Sequence, residues 1–182
     1  FSPNRGTVKI TDIENAKKIV EKLNAFTDII VVSFHGGAEG SSKTHVTKQT
    51  EYFYGENRGN VHKFSHAVVD AGADIVFGHG PHVTRTIELY KNRLICYSLG
   101  NFCTYGRFSL KGLKGIGPMV EVKIKNDGSF IEGNIVSTKQ IGEGIPMIDE
   151  TEKALKEIKR LLASDFPNNN IVFEGSKFKA KK

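Results

Sequence analysis

Two short runs of buried strand residues on either side of one helix constrain the fold of this chain more than any other feature. Residues 29–34 form a continuous, mostly β-branched run, which is expected for a strand buried on both faces. Residues 75–77 form a second such run. The apolar residues between the two runs recur at helical spacing at Val61, Phe64, Val68 and Ala71. Gly72 follows as the residue that ends the helix, and a strand–helix–strand unit of this kind is parallel, so both strands end at the same edge of one sheet.

One more helix is predicted before this unit, and an antiparallel half after it. The first helix covers about 12–24, with Thr11 as its N-cap and Glu14 completing a capping box. Alternating apolar and polar residues then predict antiparallel strands at about 84–90, 93–98, 120–124 and 130–137. The predicted fold class is therefore α/β, a parallel βαβ unit followed by antiparallel strands and a C-terminal helix.

The C-terminal part combines an amphipathic helix with a basic tail. The helix begins at about 149–152 and ends before Pro167. Much of the net charge of +6 lies in the tail, at Lys177, Lys179, Lys181 and Lys182. Because the tail offers only Phe178 as an interleaved aromatic residue, we interpret it as a frayed, solvated terminus and do not expect nucleic-acid binding.

Several common site chemistries are not supported by the sequence. Cys96 and Cys103 do not form a zinc-type pair, and the apolar surroundings of Cys96 predict a buried free thiol. The chain contains neither a P-loop nor the G-x-S-x-G turn of a serine hydrolase. No apolar run approaches the length of a membrane span, and no signal-peptide pattern is present.

Three histidines at the ends of the two parallel strands predict a metal site. His79 and His82 lie in a tight loop after the second strand, where glycines allow close approach and Pro81 stiffens the segment between the ligands. His35 follows the first strand directly. Since ligands bind beyond the carboxyl ends of parallel strands, we expect His35, His79 and His82 to be metal ligands.

Other polar residues near these strand ends are further candidates. Glu39, on the same loop as His35, is a metal ligand, a carboxylate that orients an imidazole, or a solvated acid. Glu39 and Asn101 are candidate catalytic residues, and His45 and Asn101 are candidate substrate-binding residues. The alternative for Asn101 is that it caps its turn. His62 and His66 have a metal-like spacing on the second helix, but with Lys63 between them and no carboxylate partner apparent we interpret them as surface histidines.

Three sequence strings together resemble one known family. They are VVSFHGGAEG, DAGADIVFGHGPHV and YSLGNF, in this order and spacing. They resemble the CapA family of capsule and poly-γ-glutamate synthesis proteins, a branch of the calcineurin-like metallophosphatases. The resemblance covers about 1–140, and residues 141–182 are the C-terminal helix and tail. Two departures concern the shape of the site, since the family often has a second histidine at Gly80 and a tryptophan at Gly36.

The resemblance implies a layered α/β/β/α sandwich with two divalent ions, Mn, Fe or Zn, in the intact protein. His35 corresponds to the lone histidine of the family, and His79 and His82 correspond to its GHxH pair. Metallophosphatase folds begin with strands that carry Asp and Asn ligands, and no such segment precedes His35, so residues 1–4 are expected to be the tail of an earlier strand. Residues 1–182 are accordingly expected to be the C-terminal part of one domain, inactive alone and with an exposed apolar sheet edge.

The function implied by the resemblance is capsule or poly-γ-glutamate biosynthesis, with the intact protein acting as a metal-dependent hydrolase. The expected substrate is a phosphoester or the γ-glutamyl amide of an anionic polymer. The alternative is a non-catalytic component that binds the polymer or holds partners in a capsule synthesis complex, and it is favoured if the carboxylate ligands are lacking in the intact protein. The resemblance also implies an extracytoplasmic or cell-envelope location, with membrane contact only through a segment upstream of this chain.

Overall fold

The computed structural model describes residues 6–106 and 109–181. Within these ranges there are three α-helices, α1 (Ile13–Asn24), α2 (Val61–Asp70) and α3 (Lys153–Asp165), and a short 3-10 helix at Gly112–Gly115. The strands of the same ranges are β1 (Val31–His35), β2 (Tyr52–Phe53), β3 (Glu56–Asn57), β4 (Ile75–His79), β5 (Ile87–Tyr90), β6 (Arg93–Cys96), β7 (Ile116–Ile124), β8 (Phe130–Ile141), β9 (Ile145–Ile148), β10 (Ile171–Glu174) and β11 (Lys177–Ala180). The prediction for residues 1–4 lies outside the described residues.

The first sheet contains the predicted βαβ unit. Its strand order is β1-β4-β6-β5, with β1 parallel to β4, β4 parallel to β6, and β5 antiparallel to β6. The last residue of β1, His35, pairs with the last residue of β4, His79. The two strands therefore end at the same sheet edge, as predicted, and the fold is a mixed α/β arrangement consistent with a partial α/β sandwich.

The helix caps agree with the sequence in one case and not in the other. Helix α2 ends at Asp70, and Gly72 follows with φ +117°, the conformation expected of a glycine that ends a helix. At α1 the predicted N-cap, Thr11, is wrong. Asp12 is the N-cap, and its side chain accepts a hydrogen bond from the backbone N–H of Asn15 at 3.3 Å. Both residue types cap helices well, so sequence preference does not choose between neighbours.

Strand β1 is buried on one face only, so the prediction of burial on both faces is wrong. Phe34 is buried and packs edge-to-face on Phe64 of α2, with ring centroids 5.7 Å apart. Val31, Ser33 and His35 point to the other face and are exposed, Val31 to 51%. Among the described strands β1 has a partner on one side only, so it forms an outer edge of the sheet with apolar surface in contact with solvent.

The second sheet is antiparallel and includes the C-terminal tail. Its strands follow the order β10-β11-β8-β7, with β9 paired to β8, and α3 packs against β7, β8 and β5. The expectation of a frayed tail is wrong, because Lys177–Ala180 forms β11. Phe178 is 1% exposed and stacks on Phe130, while the lysines beside it point outward. The alternation of lysine and apolar residues is the period of a strand with one wet face.

The interior is a continuous apolar core between helices and sheets, and it contains Cys96 and Tyr97. Cys96 is a buried free cysteine, as predicted, and burial raises the pKa of its thiol to about 12. None of the helices in the described part of the chain is long and apolar enough to span a membrane.

Candidate metal centre

The loops after β1 and β4 pack backbone against backbone. The N–H of Gly36 donates to the carbonyl of His79 at 2.8 Å, and the N–H of Gly40 donates to the carbonyl of Pro81 at 3.2 Å. Gly80 has φ +132°, and a Cβ atom at this position would lie 2.3 Å from the Gly36 carbonyl oxygen. Glycine is therefore required for this close approach, which brings the two histidine loops together.

His35, Glu39 and His82 form a compact group at this edge. Each offers one ligand atom, and the three atoms all lie within 4.8 Å of one another. His82 Nε2 lies 3.7 Å from Glu39 Oε2, and the rings of His35 and His82 are 5.9 Å apart between centroids. Two ligands at about 2.0–2.2 Å from one ion are about 3–4 Å apart, so this donor set fits a first-row divalent cation.

Asn101 determines which nitrogen of His82 faces this group. Its Nδ2 donates to the carbonyls of His82 and Lys114, both at 3.1 Å, so its Oδ1 must be the atom that faces His82 Nδ1 at 2.9 Å. An amide oxygen only accepts, so Nδ1 of His82 carries a proton, and in the neutral ring the lone pair is on Nε2. Asn101 is 4% exposed, so this arrangement is held inside the protein.

Arg58 orients Glu39 in a similar way. Its Nη2 donates to Glu39 Oε1 at 2.9 Å, and the other carboxylate oxygen, Oε2, is the one near His82. Arg58 follows β3, and its backbone carbonyl accepts from the N–H of Gly37 at 2.8 Å. The sequence analysis did not identify Arg58, because a polar loop shows no local pattern that predicts contact between its arginine and Glu39.

The environment favours neutral imidazoles. Desolvation lowers the pKa of His35, as do the positive charges of Arg58 and His82, while Glu39 opposes the shift. Burial also lowers the pKa of His79, against a hydrogen bond with the backbone of Gly100. Metal ligation requires the neutral ring, so both shifts favour ligation near neutral pH.

His79 lies beside this group without belonging to the set of three. It is the strand partner of His35, half-buried, and close enough for His82 to lower its pKa. Among the described residues, Glu39 and not His79 has a ligand atom within 4.8 Å of those of both His35 and His82. The assignment of all three histidines as ligands stays a prediction.

The segment 41–59, between the loop that carries Glu39 and helix α2, packs behind Glu39. It contains the β2–β3 hairpin and the buried Glu51, whose carboxylate accepts from Arg85 at 2.8 and 2.7 Å and from the N–H of Ala38 at 2.8 Å. Arg85 is 1% exposed. This ion pair fixes the backbone just before Glu39 through Ala38. The alternating apolar and polar residues around Arg85 predict a strand but not a buried ion pair.

His45 lies in the same segment, and it points elsewhere. Its Nδ1 is 2.6 Å from Asp165 Oδ1, at the end of α3, and its side chain is 47% exposed. It lines a groove with Lys43 and Ala38, next to Glu39 in sequence. Its predicted role in substrate binding stays a prediction.

His62 and His66 differ from the surface histidines that the sequence predicted. Both are half-buried, and Glu88 of β5 supplies the carboxylate partner, 2.9 Å from His66 Nε2. The partner comes from a strand 22 residues further along the chain, so the spacing on the helix alone could not reveal it.

The sequence matches one family model over more than half of its length. The model describes the bacterial capsule synthesis protein PGA_cap and matches residues 2–105. These residues include His35, Glu39, His79, His82 and Asn101.

Curated relatives match this chain over shorter segments. The chain is 39% identical over 75 residues to the capsule biosynthesis protein CapA of Bacillus anthracis, a segment that covers 41% of this chain and 15% of that protein. It is 34% identical over 84 residues to the PGA biosynthesis protein CapA of Bacillus subtilis, covering 46% of this chain and 19% of that protein. A probable polyglutamine synthesis accessory protein of Mycobacterium tuberculosis is 35% identical over 74 residues, covering 41% and 16%. The matched part of this chain thus spans less than a fifth of each relative.

Proposed function

Because this chain belongs to the PGA_cap family of bacterial capsule synthesis proteins, within the metallophosphatase-like superfamily, we propose that it supplies part of the metal site of a hydrolase. The hydrolase acts in the synthesis of a poly-γ-glutamate capsule. The relatives named for capsule and PGA biosynthesis support the process, and the histidine–carboxylate group at the sheet edge supports the chemistry.

The observation that carries this proposal is the contact between Asn101 and His82. A buried amide that determines the tautomer of a histidine beside a carboxylate is the arrangement found around metal ligands, where outer partners orient the ring. A histidine that only packs in a turn does not need its Nδ1 proton fixed. The donor set of His35, Glu39 and His82 fits Mn, Fe or Zn.

In the proposed site, the position of each residue determines its role. His35 and His82 present ring nitrogens, and Glu39 presents Oε2, the carboxylate oxygen that does not bind Arg58 and that faces His82. In this proposal Glu39 is a ligand, and Asn101 is a positioning residue that acts through His82. His79, on the neighbouring strand, is the further ligand of a second ion. A bound divalent ion would polarise the scissile bond and lower the pKa of a bound water.

The γ-glutamyl amide of the capsule polymer is the substrate that we propose first. Relatives are named for synthesis of that polymer, and an anionic chain would meet Lys43, Arg58 and His45 on the loop side of the site. A phosphoester is the second candidate, because the metallophosphatase-like superfamily suggests it. The same residues serve either substrate, since both reactions develop negative charge on an oxygen.

The test is hydrolysis by the protein in the full length that its gene encodes, supplied with Mn²⁺ or Zn²⁺. Poly-γ-glutamate is followed by its loss of chain length, and a generic phosphomonoester by phosphate release. We expect metal-dependent cleavage of one of them, abolished by His82→Ala and kept by Lys123→Ala, which changes an exposed residue of β7. Tight binding of poly-γ-glutamate without cleavage of either substrate would contradict the hydrolase and establish a polymer-binding component.

A further inference from the structure

A second group of metal-ligating side chains lies on a different strand and helix. His62 and His66 occupy consecutive turns of α2, and Glu88 lies on β5. One ligand atom from each lies within 4.8 Å of the other two. Strand β5 is at the opposite end of the sheet order from β1, which carries His35, so this group is separate from the one at the strand ends.

The carboxylate of Glu88 is held by a buried hydroxyl. Tyr97 is 0% exposed and donates its phenolic O–H to Glu88 Oε2 at 2.6 Å. His66 Nε2 contacts the same oxygen at 2.9 Å. Both contacts fall on Oε2, so Oε1 retains its lone pairs for a cation. Tyr97 therefore orients Glu88 by a hydrogen bond, as outer partners orient the ligands of known metal sites.

The two imidazole rings are held by stacking. His66 lies on Tyr90 with ring centroids 3.7 Å apart and an interplanar angle of 17°. His62 lies 4.0 Å from His66 and 6.0 Å from Phe166. Rings packed on both sides lose little rotamer freedom when they bind an ion, which is the condition for a preorganised site.

The charge states of the group suit ligation. Burial, followed by the charge of His66, lowers the pKa of His62 to about 4, so this ring is neutral at pH 7. Burial opposes ionisation of Glu88, but hydrogen bonds from His66 and Tyr97 hold the pKa of its carboxyl below the usual value. The group thus offers neutral imidazole and an ionised carboxylate, the forms that bind metal.

We propose that His62, His66 and Glu88 form a second, mononuclear site for a Zn²⁺-type cation, with Tyr97 as the positioning residue for Glu88. Two imidazoles and one carboxylate are an established zinc donor set, and three protein ligands leave a fourth position for water. Binding exchanges the contact between His66 Nε2 and Glu88 Oε2, now 2.9 Å, for metal bonds, with Glu88 Oε1 as the carboxylate ligand. The ion would join α2 to the edge strand β5.

The test is Zn²⁺ titration of the chain carrying His35→Ala and Glu39→Gln, which removes ligands of the first site. Glu39→Gln keeps an acceptor for Arg58. Calorimetry should give one Zn²⁺ per chain, and Co²⁺ should produce the visible absorption of a low-symmetry site. In this background His62→Phe and His66→Phe, which keep an aromatic ring in each stack, and Glu88→Gln should each weaken Zn²⁺ binding by more than about 10-fold, because even loss of an outer partner costs 10–100-fold.

His45→Phe is the matched control, because His45 belongs to neither group among the described residues, and it should leave this affinity unchanged. Tyr97→Phe should weaken binding less than loss of a ligand does. Circular dichroism of each variant establishes that it is folded. The proposal is overturned if the background protein binds no Zn²⁺ with one-to-one stoichiometry, or if folded His62→Phe and Glu88→Gln bind it as the background protein does. Either result leaves the first site untouched, so the two proposals fail separately.

Discussion

Asn101 Oδ1 lies 2.9 Å from His82 Nδ1. Two backbone carbonyls accept hydrogen bonds from Asn101 Nδ2 and so orient the amide with Oδ1 toward the histidine, where it accepts the Nδ1 proton. The lone pair of the imidazole is therefore directed from Nε2, the atom 3.7 Å from Glu39. An uncharged side chain thus determines the ligand atom of the proposed site.

Replacement of Asn101 separates this positioning role from simple packing. Asn101→Ala removes the acceptor for His82 and should weaken Mn²⁺ or Zn²⁺ binding at the first site by about 10–100-fold. Asn101→Asp keeps an acceptor and should retain most of that affinity. Both variants leave the carbonyls of His82 and Lys114 without their donor, so Asn101→Ala should lose about 1–3 kcal/mol of unfolding free energy, and Asn101→Asp more, because its buried carboxylate faces those carbonyls. Equal metal affinity in the two variants would show that the contact is only structural.

Gly80 should tolerate no side chain. In Gly80→Ala the new Cβ would meet the carbonyl of Gly36 at a backbone conformation that alanine rarely adopts. We expect a loss of about 3 kcal/mol or more, from strain and from separation of the two loops. Gly175→Ala is the control, because it also has positive φ, 63°, but open space around it, and it should lose only about 1–2 kcal/mol. Urea denaturation measures both, and equal losses would refute the close approach.

The buried pair of Arg85 and Glu51 should depend on both partners. Glu51→Leu leaves the Arg85 charge buried without its carboxylate, and we expect a loss of about 3–5 kcal/mol in unfolding free energy. The double variant Glu51→Leu with Arg85→Met should be more stable than Glu51→Leu alone, because it removes the uncompensated charge. A double-mutant cycle in denaturant measures the coupling, and additive losses would count against a buried ion pair.

The sequence predicted the parts of the fold that depend on local pattern. The parallel pair of β1 and β4 and the helix that carries Leu155 and Ile158 both follow from apolar spacing, and both are present. Hydrophobic periodicity reports which face of an element is buried, and that suffices to place His35 and His79 at one edge.

The sequence failed where partners come from distant segments. The sequence around Glu39 does not predict its contact with Arg58, and the sequence around His66 does not predict its contact with Glu88, because both contacts arise from tertiary packing. The tail was misjudged for a related reason. Its lysines outweigh Phe178 in composition, yet that one buried ring and pairing with β10 and β8 hold the strand in the sheet.

Asp149 should make stability depend on pH below about 4. Burial opposes its ionisation, but hydrogen bonds from Thr151 and the N–H of Lys153 hold the pKa of its carboxyl below the usual value. A carboxyl with a lowered folded pKa stabilises the fold above its unfolded pKa, about 3.9, and this contribution is lost as pH falls through the folded value. Asp149→Asn should therefore cost stability between pH 5 and 8 and progressively less below about pH 4. Denaturant midpoints at each pH test this, and a constant difference would contradict it.

The most direct measurement of the proposed centre is anomalous diffraction from crystals of the protein soaked with Mn²⁺ or Zn²⁺. We predict a peak at the ends of β1 and β4, about 2.0–2.2 Å from His82 Nε2 and from a nitrogen of His35, with Glu39 as the carboxylate ligand. His82→Ala should remove that peak and leave any density at His62 and Glu88 in place. A saturated crystal without an ion between His35 and His82, or with the ion bound through His82 Nδ1 in place of the Asn101 contact, would contradict the account.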